Sequence, residues 1–172
     1  MADVFGSPDK NKAPASTGVH PYKPVPAAGN AGRFDVRLVP QLTDDHKQLL
    51  RQLQTIRDTV NEGQYEVVRE LLSDFRITLQ AHLLTENVKL YIYLGRNLTK
   101  DGTNARRVDK CREEMAGIGR MVMDFLRRYT DAVLLPERAP DFCKELDGVV
   151  ATLTRRIERE ESELYPLYLP SY

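Results

Sequence analysis

Apolar residues recur every three or four positions in four stretches of the chain, which is the spacing of one face of an α-helix. The predicted helices cover residues 43–61, 64–94, 105–129 and 141 to Pro166 or Pro170. No stretch between them shows the strict alternation of a half-buried strand. Four amphipathic helices joined by short connections predict an all-α fold, an up-down-up-down four-helix bundle.

Turn-forming and capping residues mark the ends of these predicted helices. Thr43, followed by two aspartates, predicts the N-cap of the first helix, and Asp141 predicts that of the last. The first helix should stop at the glycine of Asn61-Glu62-Gly63. Residues 95–104, a turn-rich run with two glycines, should separate the second helix from the third.

The first 33 residues differ in composition from the rest of the chain. They are rich in proline, glycine, alanine, serine and lysine, and they lack periodic apolar residues. This predicts a disordered or extended N-terminal arm ahead of one domain at residues 34–172. Composition favours a solvated tail, although residues 19–26 leave open a strand lying against the domain or a partner. His20 belongs to this arm, and we do not expect it to be a ligand.

Polar side chains interrupt the apolar faces of three helices. His82 and Glu86 stand four residues apart on the inner face of the second helix, Arg156 and Glu160 do so on the fourth, and His46 lies on the first. A buried polar group without a partner costs roughly 1–3 kcal/mol. In an antiparallel bundle these five positions should fall at one level of the core, so that each can find a partner there.

Two interpretations of this polar layer follow from the residue types. In the first, His46, His82, Glu86 and Glu160 bind a metal ion, since imidazole and carboxylate ligands suit iron, manganese or zinc between facing helices. In the second, no metal is bound. Arg156 then takes the place of the cation and pairs with Glu160 and Glu86, while the histidines donate to the carboxylates.

Composition and motifs narrow the function classes. Twenty-five basic residues balance 25 acidic ones, so we expect no nucleic-acid or membrane binding. Cys111 and Cys143 lack a CxxC spacing and no secretory leader pattern is present, which favours free thiols and a cytoplasmic location. Motifs for nucleotide binding or hydrolysis are absent, and we expect a protein that is not an enzyme.

Three segments resemble the hemerythrin family, the HHE cation-binding domains. They read LTDDHKQLL around residue 46, LQAHLLTENVKLY around residues 82–86, and EREESELYPLY around residue 160. The resemblance covers about residues 40–169 and implies the same four metal ligands as the first interpretation above. Two family histidines are replaced, one by Met115 and the other by Arg156. A thioether is a poor ligand for hard iron ions, and a guanidinium is none.

This resemblance implies a degenerate site that holds at most one metal ion. The retained ligands are those of one iron in the family's two-iron centre, which disfavours reversible oxygen transport and favours sensing or regulation. We hypothesise that the charge of Arg156 substitutes for the absent second iron.

A fainter resemblance supports the metal-free alternative. Three short patterns, HKQLLRQL, LQAH and RIEREE, are similar to helices of the Rsd/AlgQ regulators, which bind the principal sigma factor of bacteria. An arginine in those regulators matches the position of Arg156. This resemblance implies a protein-interaction module with a regulatory protein partner and without a metal.

Overall fold

The computed structural model describes residues 32–98 and 102–170, and these ranges contain helices and connecting turns but no strand. In these ranges the helices form four continuous helical rods, and two of these rods contain a widened, π-helical turn. The α-helices are α1 (Leu38–Asn61), α2 (Tyr65–Thr85), α3 (Tyr91–Asn97), α4 (Gly102–Thr130) and α5 (Ala139–Arg159). The first π turn, Glu86–Leu90, joins α2 to α3, and the second, Glu160–Leu164, follows α5. The four rods are therefore α1, α2 continued through the first π turn into α3, α4, and α5 continued into the second π turn.

The start of α1 lies earlier than the sequence predicted. The helix begins at Leu38, so Thr43 and the two aspartates lie within it and do not cap it. Asp35 instead organises the turn before the helix. Its Oδ1 atom accepts a hydrogen bond from the Arg37 amide at 3.0 Å, and its carbonyl accepts one from the Leu38 amide at 3.0 Å. Pro40 lies in the first turn, where a missing amide hydrogen costs no helical bond.

The end of α1 confirms the predicted stop. Gly63 has φ +74°, a left-handed conformation that favours glycine. Its amide bonds to the Val60 carbonyl at 3.0 Å, and the amide of Gln64 bonds to the Thr59 carbonyl at 3.0 Å. These bonds satisfy the last carbonyls of the helix and turn the chain into α2.

Two other predicted boundaries differ from the structure. The rod formed by α2, the first π turn and α3 continues to Asn97, so Gly95 does not break it, while residues 99–101 lie outside the described residues. In the last connection, a 3-10 turn at Pro136–Arg138 leads directly into α5 at Ala139. Asp141 is therefore in the first turn of α5, where its charge suits the helix dipole, and it is not the N-cap.

The four rods pack as a closed bundle. α1 contacts α2 and α5, and α4 contacts α2 and α5 as well. Each rod therefore packs against the rods that precede and follow it, which confirms the predicted four-helix bundle. In the described ranges, no helix is long and apolar enough to cross a membrane.

Two apolar clusters fill the core, one in the body of the bundle and one at its end. The body cluster is built from residues such as Leu53, Phe75, Phe125 and Phe142. The end cluster consists of Leu38, Leu42, Leu90, Tyr91, Tyr93, Leu94, Val108, Leu164, Tyr165 and Tyr168. Since the end cluster draws on the start of α1 and α4 and on the far end of the other two rods, neighbouring rods run antiparallel.

The predicted arm at residues 1–33 lies almost wholly outside the described residues. The chain that follows it packs onto the end cluster. The ring of Phe34 stacks on that of Tyr168 with centroids 5.0 Å apart, and the amide of Asp35 donates to the Tyr168 hydroxyl at 2.7 Å. The domain is thus anchored from Phe34 onward.

Candidate metal centre

A polar layer separates the two apolar clusters on every rod. On α1, His46 lies between Leu42 of the end cluster and Leu49 of the body cluster. On each of the other three rods, polar or sulfur-containing residues likewise lie between the residues of the end cluster and those of the body cluster. These are His82 and Glu86, Cys111 and Met115, and Arg156 and Glu160. The sequence prediction that the five polar groups share one level is confirmed.

Four of these side chains converge on one point. His46, His82, Glu86 and Glu160 each offer a ligand atom, and these atoms lie within 4.8 Å of one another. All four residues are at most 3% exposed. Two imidazoles and two carboxylates so close together in a dry layer form a donor set that could hold one metal ion.

The two π turns contribute the carboxylates. In each turn the amide of a tyrosine bonds to the carbonyl of a glutamate five residues earlier, Tyr91 to Glu86 and Tyr165 to Glu160. Residues five apart in an α-helix lie roughly 140° apart around the axis. The wider π turn reduces that angle, so each tyrosine comes nearer to the face of its glutamate. Such turns occur frequently at functional sites.

The two π-turn segments also share a sequence pattern. Residues 82–91 read HLLTENVKLY and residues 156–165 read RIEREESELY. Each has a glutamate at its fifth position, a leucine at its ninth and a tyrosine at its tenth. The first positions differ, being His82 in one segment and Arg156 in the other. The layer is therefore built from two similar segments, of which only one begins with an imidazole.

Each histidine ring has a carboxylate on its outer side, but only that of His46 is within hydrogen-bond distance. His46 Nδ1 lies 2.9 Å from Glu161 Oε1, and His82 Nδ1 lies 3.6 Å from Asp45 Oδ2. The Nε2 atom of each ring faces the cluster, at 3.2 Å from Glu160 Oε2 for His46 and at 3.8 Å from Glu86 Oε2 for His82. An outer carboxylate that fixes the tautomer and leaves the inner nitrogen free is the usual support of a metal-binding histidine, and His46 has this support. The Nδ1 atom of His82 has no hydrogen-bond partner in the described part of the chain.

Glu86 keeps one carboxylate oxygen without a hydrogen bond. Its Oε1 atom accepts a hydrogen bond from the Tyr165 hydroxyl at 3.3 Å, whereas its Oε2 atom is buried and has no hydrogen-bond partner in the described part of the chain. Burial, together with the charge of Glu160, raises the pKa of the Glu86 carboxyl to about 7. A bound cation would stabilise the charge of this buried carboxylate, because one of its oxygens has no hydrogen bond.

The pKa of the His46 imidazole is also raised. Burial lowers the pKa of its imidazole, but the hydrogen bonds to Glu160 and Glu161 outweigh that effect and raise it overall. Without a metal, a protonated His46 can thus donate to a carboxylate from both nitrogens, as the network interpretation of the sequence predicted.

Arg156 lies at the edge of the cluster, between Glu160 and Tyr91. Its side chain is 2% exposed and forms an ion pair with Glu160, while its Nη2 atom donates to the Tyr91 hydroxyl at 2.8 Å. The predicted direct pairing of Arg156 with Glu86 is not among the contacts. The arginine acts on Glu86 only by its field, which lowers the pKa of that carboxyl and partly offsets its burial.

Sequence reasoning did not identify the polar contacts of Tyr91 and Tyr165. The hydroxyl of Tyr165 lies 3.2 Å from His46 Nε2, in addition to its bond to Glu86. Burial and the charges of Glu86 and Glu160 raise the pKa of this phenol. The repeated E-x-x-x-L-Y pattern could have revealed both tyrosines.

The two sulfur residues of α4 offer little to this centre. Cys111 is buried and reduced, and Met115 is likewise buried at the level of the cluster. A thioether does not suit a hard ion, and α4 contributes no member to the four-residue group. Cys143 is also a free thiol and packs against the body cluster, so the prediction of free cysteines is confirmed.

Two of the donor separations are close to those of atoms that share one ion. Atoms bound to the same ion at roughly 2.0–2.2 Å are separated by roughly 3 Å or slightly more. The separation of His46 Nε2 and Glu160 Oε2, 3.2 Å, has this value, and 3.8 Å between His82 Nε2 and Glu86 Oε2 is slightly wider. The buried Glu86 Oε2 atom, which lacks a hydrogen bond, supplies a ready acceptor.

Comparisons with known proteins agree with this geometry. Residues 37–168 match the family described as the hemerythrin HHE cation binding domain, and the match includes all four cluster residues. No curated protein and no solved structure matches the chain.

Proposed function

Because the chain belongs to the hemerythrin HHE cation-binding family over residues 37–168, we propose that it binds one metal ion and acts in sensing or regulation. The ligands are His46, His82, Glu86 and Glu160. The observation that carries this proposal is the pair of inward-facing Nε2 atoms, which meet two buried carboxylates within 4.8 Å. A bound iron would supply one-electron redox chemistry and exchangeable coordination positions.

The protein's own residues limit the site to a single ion. Arg156 holds a fixed positive charge against Glu160, and a second cation beside it would be repelled. Met115 lies at the same level and supplies only a soft thioether. An oxygen carrier that depends on two irons therefore does not fit these residues, whereas a single iron, manganese or zinc ion does.

A sensing role agrees with the burial of the site. The four proposed ligands are at most 3% exposed, and this burial supports a role that is not enzymatic. An ion bound by residues of three rods would connect these rods in the polar layer between the end cluster and the body cluster. Occupancy is then coupled to the stability of the domain, because a ligand that binds only the folded state stabilises it.

Elemental analysis of the full chain from iron-supplemented cells tests the proposal. We expect close to one metal ion per chain, and less than a tenth of that in His82→Ala. Glu158→Gln, an exposed change on α5, is the matched control and should keep the metal. Purified wild-type protein that holds no metal and takes up none from added iron, manganese or zinc would overturn the proposal.

The ion pair of Arg156 with Glu160 favours a second candidate, the metal-free interaction module. This pair neutralises one of the two buried carboxylates without any ion. The partner would be a regulatory protein, of which the principal sigma factor is the first to test. Co-purification with that factor by a metal-free chain, unchanged in His82→Ala, supports this candidate over the first.

A further inference from the structure

The hydroxyl of Tyr165 lies inside the four-residue cluster. Its oxygen is 3.2 Å from His46 Nε2 and 3.3 Å from Glu86 Oε1, and the residue is 5% exposed. The ring lies parallel to that of His46, with an angle of 8° between the planes. The second π turn, which ends just before Tyr165, brings this side chain to the face that carries Glu160.

The distances from the Tyr165 oxygen to His46 Nε2 and Glu86 Oε1 are similar to those between two atoms that bind the same ion. The Tyr165 oxygen is as close to His46 Nε2 as Glu160 Oε2 is, 3.2 Å in both cases. Donors on one ion are separated by roughly 3 Å or slightly more. The phenol oxygen therefore occupies a position from which it can share an ion with His46 and Glu86.

Tyr91 shows how a buried tyrosine of the same layer is otherwise satisfied. It stands at the matching position of the other π-turn segment, and its hydroxyl lies 2.8 Å from a guanidinium nitrogen of Arg156. That neighbour is a fixed cation, which binds no metal. Tyr165, in contrast, makes its hydrogen bonds with two proposed ligands, and both of them turn their lone pairs to an ion when one binds.

We propose that Tyr165 is a fifth protein ligand and that its phenolate oxygen makes the site selective for the ferric ion. This inference rests on the proposed function above. The phenol proton passes to solvent when the ion binds, so one proton more is released than by the other four ligands alone. With Glu86 and Glu160, the phenolate gives three hard oxygen donors beside two imidazoles, a set that favours iron(III) over softer ions.

The test uses the metal-free full chain and iron(III) supplied as its citrate complex. We expect one iron per chain and a visible phenolate-to-iron(III) charge-transfer band. Excitation in that band should enhance tyrosine ring vibrations in the Raman spectrum. Tyr165→Phe should lose the band completely while elemental analysis still finds iron. Tyr91→Phe, the matched control, should keep both the band and the iron.

The outcomes separate this inference from the proposed function. Bound iron without a visible band in the wild type overturns the role of Tyr165 and leaves metal binding standing. A band that survives in Tyr165→Phe, or that disappears in Tyr91→Phe, also overturns it. Failure of the wild type to bind any iron overturns both proposals. If Tyr165→Phe does not fold, the Raman spectra of the wild type and of Tyr91→Phe decide the question.

Discussion

At the scale of single residues, the outer carboxylates should control metal affinity. Glu161 accepts from His46 Nδ1 at 2.9 Å and so orients the imidazole without belonging to the cluster. Loss of such a partner weakens metal binding by about 10–100-fold. We therefore expect Glu161→Gln to raise the dissociation constant for zinc in a competition assay with a chromogenic chelator by that factor.

Glu158→Gln serves as the control for this measurement. Glu158 is exposed and lies three residues before Glu161 on the same rod, so removing its charge should leave the zinc affinity within a factor of about 2. Equal affinities for wild type and Glu161→Gln would show that the contact does not support the site.

The buried arginine should stabilise the metal-free protein. Arg156→Met leaves Glu160 without its ion pair, and breaking one side of a buried pair costs about 3–5 kcal/mol. Denaturant unfolding of the metal-free chain measures the change. Arg155→Met, an exposed neighbour, should shift the free energy of unfolding by no more than about 0.5 kcal/mol. A neutral effect of Arg156→Met would rule out the cation role of this residue.

The free energy of unfolding of the metal-free protein should fall as the pH rises from 5 to 8. The pKa of Glu86 is raised from 4.5 to about 7, so its stabilising contribution is complete below pH 4.5 and is lost as the pH approaches 7. The raised pKa of His46 has the same sign, since its contribution disappears as the pH passes the folded-state value. The Glu86 shift alone should remove about 2–3 kcal/mol between pH 5 and 8, and His46 adds to this loss.

Glu86→Gln should flatten most of this pH dependence, whereas Glu66→Gln, an exposed change in α2, should not. Denaturation midpoints at four pH values are sufficient for the comparison. Metal affinity should show the opposite trend and rise with pH, because the ligands bind in their deprotonated forms. A stability that is constant from pH 5 to 8 would contradict the burial of an ionisable Glu86.

At the scale of the elements, the π turns determine which residues reach the site. Insertion of one alanine after Ser162 adds a residue to the second π turn and rotates Tyr165 by about 100° relative to Glu160. We expect the helical circular dichroism to persist while zinc affinity falls at least about 10-fold, since Tyr165 and Leu164 leave their buried positions. Ser162→Ala, which keeps the length of the turn, should bind zinc normally.

The π turns also explain what the sequence could and could not predict. Helical spacing places His82, Glu86, Arg156 and Glu160 on inner faces, and all are buried as predicted. The same spacing puts a residue five positions after a glutamate on another face, so Tyr91 and Tyr165 were missed. Only the change of helical period brings them inward.

The start of α1 was missed for a comparable local reason. Thr43 and the two aspartates after it resemble an N-cap in the sequence, but Asp35 organises the chain before the helix, and Pro40 is tolerated in its first turn. The identity of the fold did not depend on this end, because it followed from four long apolar faces. A few apolar positions, such as Ile118, are only half-buried and pack against the body cluster.

At the scale of the whole molecule, metal binding should stabilise the entire bundle. At a free zinc concentration 100 times the dissociation constant, the linkage is worth about 2.7 kcal/mol. For a domain of this size this corresponds to a rise in Tm of about 5–11 °C. Differential scanning calorimetry with zinc and with added chelator measures the shift. His82→Ala should show less than a quarter of it, and an equal shift in that variant would contradict binding at this site.

The absence of α4 from the cluster has a consequence for how occupancy could be communicated. Coordination would tether α1, α2 and the rod of α5, which supply His46, His82, Glu86 and Glu160. α4 would stay outside that tether and keep the same neighbours whether the ion is present or not. A partner that distinguishes the metal-bound form from the metal-free form would therefore contact the three tethered rods. Their positions relative to α4 would differ between the two forms.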